Sequence, residues 1–446
     1  MKTLIKNCTI INEGQQFKGS LLIDGEYISD IFYTNQVLPK ADIQIDAEGL
    51  IMLPGIIDDQ VHFREPGNTN KADISSESAA ALLGGVTSFM EMPNTNPPAT
   101  TIKLLEEKYS KASNCSFANY SFYLGGTNNN LEEILKADPS KVCGLKLFLG
   151  SSTGNMLVDD ISSLEKIFAE SPMTIAVHCE EESIIRSNLE SAKEMYGDEI
   201  PFSLHPIIRS KEACIESTSK AIKLALKHNS SLHILHISTK EELELIKEAS
   251  KINPKITGEV CVHYMMFDDS MYCDLGSKMK CNPAIKSSSD REAIIKAVKD
   301  GVVKIVATDH APHTTEEKAN KYLNAPSGLP LVQHSFQVMW ELHQKGYFTI
   351  EDIADRMSHS PAIRFGVEKR GFIRKGYFAD LMLFNPNESV MVNKNNIQYK
   401  CGWSPFEGTN FSSAIKHTFV NGVHSVSDGK LTGLRAGKRL TFSYEK

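Results

Sequence analysis

Histidines and carboxylates stand at the ends of apolar runs in this sequence, and that placement is the chemistry it offers. His62 falls near the end of the run 55–63, in Gln60-Val61-His62. His178 closes 173–178 and His236 lies in 232–237. Asp309 follows 303–308 and opens Asp309-His310-Ala311-Pro312-His313. Imidazole nitrogens and carboxylate oxygens are the donors that zinc and similar divalent ions take. A lone histidine in an apolar run is usually a packed core residue, and an aspartate after a strand is commonly a helix N-cap. Three histidines and an aspartate at four separate run ends are much harder to obtain by coincidence. A metal held among them would acidify a bound water. Asp309 beside it would take the proton and pass it to a leaving nitrogen.

Residues so far apart in sequence converge only if a framework gathers them. Eight apolar runs read as strands, at 55–63, 86–92, 120–123, 143–149, 173–178, 232–237, 256–262 and 303–308. Between several of them lie amphipathic stretches with helical spacing, at 161–168, 215–226 and 243–246. This alternation predicts an α/β fold: a (β/α)8 TIM-like barrel over residues 54–369, with its active site at the C-terminal strand ends. The polar residues collect at those ends. Residues 1–53 and 370–446 differ, being rich in short β-branched runs punctuated by Asn12-Glu13-Gly14, Asp24-Gly25 and Asn421-Gly422. Leu4-Ile5, Thr9-Ile10-Ile11, Leu21-Leu22-Ile23 and 28–32 read as strands at one end, and 381–384, 390–392 and 418–420 at the other. The economical arrangement is one small β-sandwich domain built from both ends, with the barrel inserted.

The 446 residues suffice for two or three domains. A net charge of -7 leaves no electrostatic footprint for nucleic acid or an acidic membrane, so a small-molecule substrate is the default partner. Nine scattered cysteines, with no C-x-x-C pair, point to free thiols in a reducing compartment. Lys6 interrupts the apolar start, which argues against a signal peptide, and no apolar run reaches membrane-spanning length. A cytoplasmic location is expected.

At Ala307-Thr308-Asp309-His310-Ala311-Pro312-His313, followed by Lys318, the sequence resembles the downstream signature of dihydroorotases. Pro54-Gly55-Ile56-Ile57-Asp58 and His62-Phe63-Arg64-Glu65-Pro66-Gly67 resemble their upstream signature, and Asn94 and Asn282 fit further family positions. The resemblance spans nearly the whole chain. It implies reversible hydrolysis of L-dihydroorotate to N-carbamoyl-L-aspartate in pyrimidine biosynthesis, with metal-activated water as nucleophile and Asp309 as proton shuttle. His62, Lys146, His178, His236 and Asp309 would hold one or two zinc ions, Lys146 as a carboxylated bridge; Arg64, Asn94, Asn282 and His313 would bind substrate. A homodimer is implied by the same analogy. Simpler roles compete at single positions: an ion pair with Glu65 for Arg64, and a snorkelling surface position for Lys146. Gly150-Ser151-Ser152-Thr153-Gly154-Asn155 reads either as a substrate lid or as an ordinary barrel loop.

The sequence departs from the family at Gln60, where the resemblance calls for the first histidine of His-x-His. An amide oxygen is a poor zinc ligand beside an imidazole. The first metal position is therefore weakened. The chain works with one metal, holds a second loosely, or is a catalytically silent relative that serves as a binding partner. Arg64, Asn94, Asp309 and His313 together favour an active enzyme. Hydrolysis of another cyclic amide, of dihydropyrimidinase or allantoinase type, stands as the further alternative.

Overall fold

The computed structural model describes residues 1–150 and 156–443. Strands from both chain ends enter one nine-stranded sheet. Lys2–Asn12 pairs antiparallel with Gln15–Asp24, which pairs with Tyr27–Tyr33. Ile51–Pro54 lies beside Lys2–Asn12 and, on its other edge, runs antiparallel to Leu381–Asn385. Ala414–Val420 and Val423–Ser427 extend the sheet from there. The hairpin turns have the backbone their residues predict: Asn421 and Gly422 sit at φ 49° and 76°, and Glu13 and Gly14 at 51° and 71°. Leu4-Ile5 and Thr9-Ile10-Ile11 prove to be one strand rather than two. The polar Lys6-Asn7 between them is a bulge, with a register shift between Ile5 and Cys8 and Asn7 at φ 64°. Ile5, Cys8, Ile10, Leu21, Ile23 and Leu381 meet in one buried apolar cluster.

All eight expected barrel strands form: Ile56–Val61, Val86–Glu91, Asn119–Phe122, Leu145–Phe148, Ile175–His178, Leu232–Ile234, Ile256–Cys261 and Ile305–Ala307. Neighbours pair in parallel, and the third strand continues as Leu124–Gly125 to reach the fourth. The ring closes where Val61 bridges His310 and the His62 N–H donates to the His310 carbonyl at 2.7 Å. Side chains alternate along each strand. Leu145, Leu147, Ile175 and Val177 join the core with Ile167 and Phe168 of the helix Ile161–Glu170 and Ala221 and Ile222 of Lys211–His228. Lys146, Ala176 and His178 take the opposite face, toward the barrel interior. Asp58 ties the first strand to the eighth, accepting from Thr308 Oγ1 at 2.6 Å and from the Thr308 and Gln60 N–H groups at 3.3 and 3.2 Å.

The sheet is fastened to the barrel by a buried ion pair. Asp380, just before Leu381–Asn385, pairs with Arg370; their side chains are 2% and 4% exposed. Its carboxylate also accepts from Asn119 Nδ2 on the third barrel strand at 3.0 Å and from the Asn421 N–H at 2.7 Å. Removing the arginine leaves a buried, uncompensated carboxylate, which typically costs about 3–5 kcal/mol. Arg370→Ala should lower the first guanidinium unfolding transition by that amount, and adding Asp380→Asn should recover part of the loss. A change below about 1 kcal/mol in the single variant would show that the pair is not a fastening.

The proposed lid loop falls largely on residues 151–155, outside the described residues. Among the described residues no helix is long and apolar enough to cross a membrane. The nine cysteines are free thiols.

Candidate active site

At the C-terminal strand ends a cavity is lined by Gln60, His62, Arg64, Asn94, Lys146, Phe148, His178, His236, Asn282 and Asp309, with Ala311, Ser327 and Gly328. Except for Phe148, Ala311, Ser327 and Gly328, these are residues singled out by the sequence. Three of them hold left-handed backbone: Arg64 at φ 69°, His236 at 41° and Asp309 at 49°. Each non-glycine residue held there stores about 1–3 kcal/mol of strain, a feature concentrated at functional sites.

His62 and Asp309 face each other across the closing seam of the barrel. His62 Nδ1 lies 2.8 Å from Asn94 Oδ1, and its Nε2 lies 3.1 Å from Asp309 Oδ1. Burial, opposed by Asp309, pushes the His62 pKa down. If Nδ1 donates to Asn94, Nε2 directs a lone pair at a carboxylate oxygen. Gln60 Nε2 donates to the same Asp309 oxygen at 3.1 Å, and Gln60 Oε1 accepts from Cys261 Sγ at 3.9 Å. The amide thus spends its donor on Asp309. Asp309 is not a helix cap: the next helix, Thr315–Lys318, is capped by Thr314.

His178 and His236 form a second pair. His178 Nδ1 lies 2.9 Å from His236 Nε2, while His178 Nε2 is 3.0 Å from Glu180 Oε2. Although burial opposes it, Arg209 paired with Glu180 holds that carboxyl down at about 2. Glu180 therefore accepts from His178 Nε2–H and leaves Nδ1 as a lone pair, the tautomer a metal ligand needs. His236 Nδ1 is buried with no hydrogen-bond partner among the described residues. Burial drives the pKa of His178 down and that of His236 well down, so both rings are neutral at pH 7. Lys146 is 1% exposed, which removes the surface alternative, and burial pushes its pKa down to about 7. Neutral imidazoles that confront a carboxylate and each other suit a divalent cation. Gln60 adds no imidazole to that set.

Arg64 does not pair with Glu65, which instead meets Lys111 at 3.3 Å and caps the Ile74 N–H at 3.0 Å. Arg64 Nε–H donates to the Pro312 carbonyl at 3.1 Å, fixing the guanidinium plane at the cavity wall. His313 stands behind it, with Nε2 3.1 Å from Arg64 Nη2 and 3.0 Å from the Ser327 carbonyl. Its Nδ1 is 3.2 Å from Lys71 Nζ, and Trp403 Nε1–H donates to its carbonyl at 2.7 Å. Gly328 closes this wall at φ 145°, where a Cβ would come within 2.3 Å of the Ala311 oxygen. Asn282 Oδ1 is buried with no hydrogen-bond partner among the described residues.

The sequence reading missed the Glu180–Arg209 support behind His178. Its signal was a carboxylate two residues after a candidate ligand. It also missed an interior cluster, Asp59, His233 and Glu259, whose possible ligand atoms lie within 4.8 Å of one another.

The chain has extensive matches among known proteins. The profile of the Amidohydrolase family matches residues 51–424. A dihydroorotase of Enterococcus faecalis is 31% identical over 434 residues, spanning 96% of this chain and 99% of its own. One of Bacillus pumilus is 30% identical over 436 residues, spanning 97% of this chain and 100% of its own. Among solved structures, the L-hydantoinase (dihydropyrimidinase) of Arthrobacter aurescens superposes with a TM-score of 0.94 at 24% identity, covering 98% of this chain and 99% of its own. The dihydropyrimidinase of Brevibacillus agri gives 0.90 at 24% identity over 100% of both chains. At such identity these structures establish the fold: the barrel with its β-domain. With the family profile on 51–424 and dihydroorotases matching over nearly their full length, the chain belongs to the amidohydrolase family, in its dihydroorotase group.

Proposed function

We propose that the chain is a dihydroorotase, reversibly hydrolysing L-dihydroorotate to N-carbamoyl-L-aspartate. His62, His178, His236, Asp309 and Lys146, the last as a carbamate, would hold one or two zinc ions. The observation that carries this reading is Arg64, fixed through Nε on Pro312 at the wall of the cavity that contains Asp309 and the three imidazoles. A planar guanidinium matches a carboxylate. Dihydroorotate carries one beside its ring amide; dihydrouracil, hydantoin and allantoin do not. The relatives named dihydroorotase support the same choice.

In the hydrolytic direction, water oxygen bonds to the ring carbonyl carbon and the carbon–nitrogen bond breaks. Asp309 takes the water proton on a carboxylate oxygen and returns it to the departing nitrogen. Arg64, backed by His313, holds the substrate carboxylate. Asn94 steers His62 from its Nδ1 side, and the partnerless Asn282 Oδ1 accepts a ring N–H. Burial keeps His62, His178 and His236 neutral and so available as donors. A divalent metal, when bound, supplies Lewis-acid polarisation of the carbonyl and acidifies water.

Purified protein supplied with zinc, cobalt or manganese should turn over dihydroorotate in preference to dihydrouracil, hydantoin and allantoin. Arg64→Met should lower kcat/KM for dihydroorotate about 10²-fold, as expected for roughly 3 kcal/mol of lost charge-assisted bonding. It should leave any residual hydrolysis of dihydrouracil unchanged. Absence of dihydroorotate turnover with all three metals would sink the reading.

A further inference from the structure

Deeper in the barrel than the cavity, three side chains from three strands converge: Asp59 of the first, His233 of the sixth and Glu259 of the seventh. All are 0% exposed. His233 Nε2 lies 3.1 Å from Glu259 Oε2 and 3.3 Å from Asp59 Oδ2. Its other nitrogen, Nδ1, is 2.8 Å from Thr257 Oγ1, which fixes the ring plane. Apart from that contact of Oδ2 with His233, the buried carboxylate oxygens of Asp59 have no hydrogen-bond partner among the described residues.

Two carboxylates in a sealed interior need a counter-charge or a shared proton, since an uncompensated buried ion costs several kcal/mol; burial and the neighbouring Asp59 hold the Glu259 carboxyl well above the usual range. Lys146 and Arg364 bring positive charge to Glu259 and His233. Asp58 is held by Thr308 and the Gln60 N–H. Arg364 donates to Thr257 Oγ1 at 2.6 Å, to Ser231 Oγ at 3.1 Å and to the Leu232 carbonyl at 3.1 Å. Glu259 turns its second oxygen, Oε1, to the His236 N–H at 3.4 Å, which leaves Oε2 for the cluster. One nitrogen and two carboxylate oxygens form a common zinc donor set. Bonds of about 2.0–2.1 Å put neighbouring donors of a tetrahedron about 3.3 Å apart. The two measured edges, 3.1 and 3.3 Å, match that spacing.

We propose that Asp59, His233 and Glu259 form an interior cation site, separate from the cavity, that takes one zinc-type divalent ion. Three protein donors leave the fourth position to a water. An ion here lies one hydrogen bond from the backbone of His236, whose left-handed φ of 41° it would brace through Glu259. The proposal does not rest on the dihydroorotase reading, because none of the three side chains lines the cavity, although the charge of Lys146 on the cavity wall is felt at Glu259 and His233.

The test is zinc counted per chain by mass spectrometry, after loading the full-length protein with zinc and dialysing it. His62→Ala/His178→Ala/His236→Ala should strip the cavity of its imidazole ligands and abolish activity yet retain one tightly held zinc per chain. Adding Asp59→Asn to that variant should drop the count to near zero, with Glu259→Gln as the replacement if the first does not fold. In the otherwise wild-type chain, Asp59→Asn should lower the Tm measured with zinc. The opposite pattern, an unchanged zinc count and a raised Tm, would mean that the carboxylates share a proton, and it would overturn the proposal. Crystals of the zinc-loaded wild-type protein should show an anomalous peak between the three residues; its absence overturns the proposal even if no variant folds. Inactivity toward dihydroorotate would leave all of these readouts standing.

Discussion

Asp309→Asn should lower kcat on dihydroorotate by about 10³-fold or more, the upper part of the range for losing a general acid–base. The substitution removes the proton acceptor and also one charged zinc ligand, so the variant is to be compared with the wild type at equal zinc content. Asparagine matches aspartate in size and, unlike alanine, is at home at a left-handed position such as φ 49°. It can still reach His62 Nε2 and Gln60 Nε2, both 3.1 Å from Oδ1. What it cannot do is take a proton from water and return it to nitrogen. Single-turnover measurement should show the chemical step slowed while KM moves little. Normal turnover by the variant would remove Asp309 from the shuttle role. Gln60 enters here too, because its N–H already draws on the oxygen that must accept the proton.

Lys146→Met should reduce activity to background and weaken zinc binding together. Methionine keeps the length of a side chain that is 1% exposed, so packing changes little. With its pKa pushed down to about 7 by burial, the amine is about half neutral at pH 7 and nucleophilic toward carbon dioxide. Carbamate formation joins nitrogen to carbon, releases a proton and turns a cation into an anionic oxygen donor beside His178. The sign follows: the modification is favoured above pH 7 and lost as pH falls and the amine becomes charged. Wild-type protein stripped of both metal and carbon dioxide should regain activity with zinc plus bicarbonate and little with zinc alone. Equal recovery without bicarbonate would refute the carbamate, and full activity in Lys146→Met would remove the lysine from the site altogether.

Much of this architecture is legible without coordinates because the signals are local. Asn421-Gly422 encodes its own turn, and the runs ending at His178 and Asp309 encode strands and where they stop. The failures come from non-local geometry. Alternation along a strand would set Asp59 and Gln60 on opposite faces. The first barrel strand instead slips against the second between Asp58 and Val61, and both side chains reach across the barrel, Asp59 to His233 and Gln60 to Asp309. Nothing in the string of residues announces that slip. Arg209 was equally invisible, since it reaches Glu180 from another helical segment 29 positions away. Lys6-Asn7 misled for the reverse reason: a polar interruption reads as a strand end, whereas a bulge absorbs it and the ladder resumes at Cys8.

The seam between Ile51–Pro54 and Leu381–Asn385 has a consequence for how the protein is made. A ribosome adds about 5–20 residues per second, so the roughly 330 residues separating those strands take about 15–65 s to appear. Through that interval the early strands of the nascent chain present an open edge carrying Ile51, Met52 and Leu53, while the barrel is synthesised behind them. Open β-edges pair with whatever is nearby. Biosynthesis of this protein thus passes through a period in which its first-made segment depends on shielding by chaperones or by its own growing barrel, and ends it only when the last strands arrive.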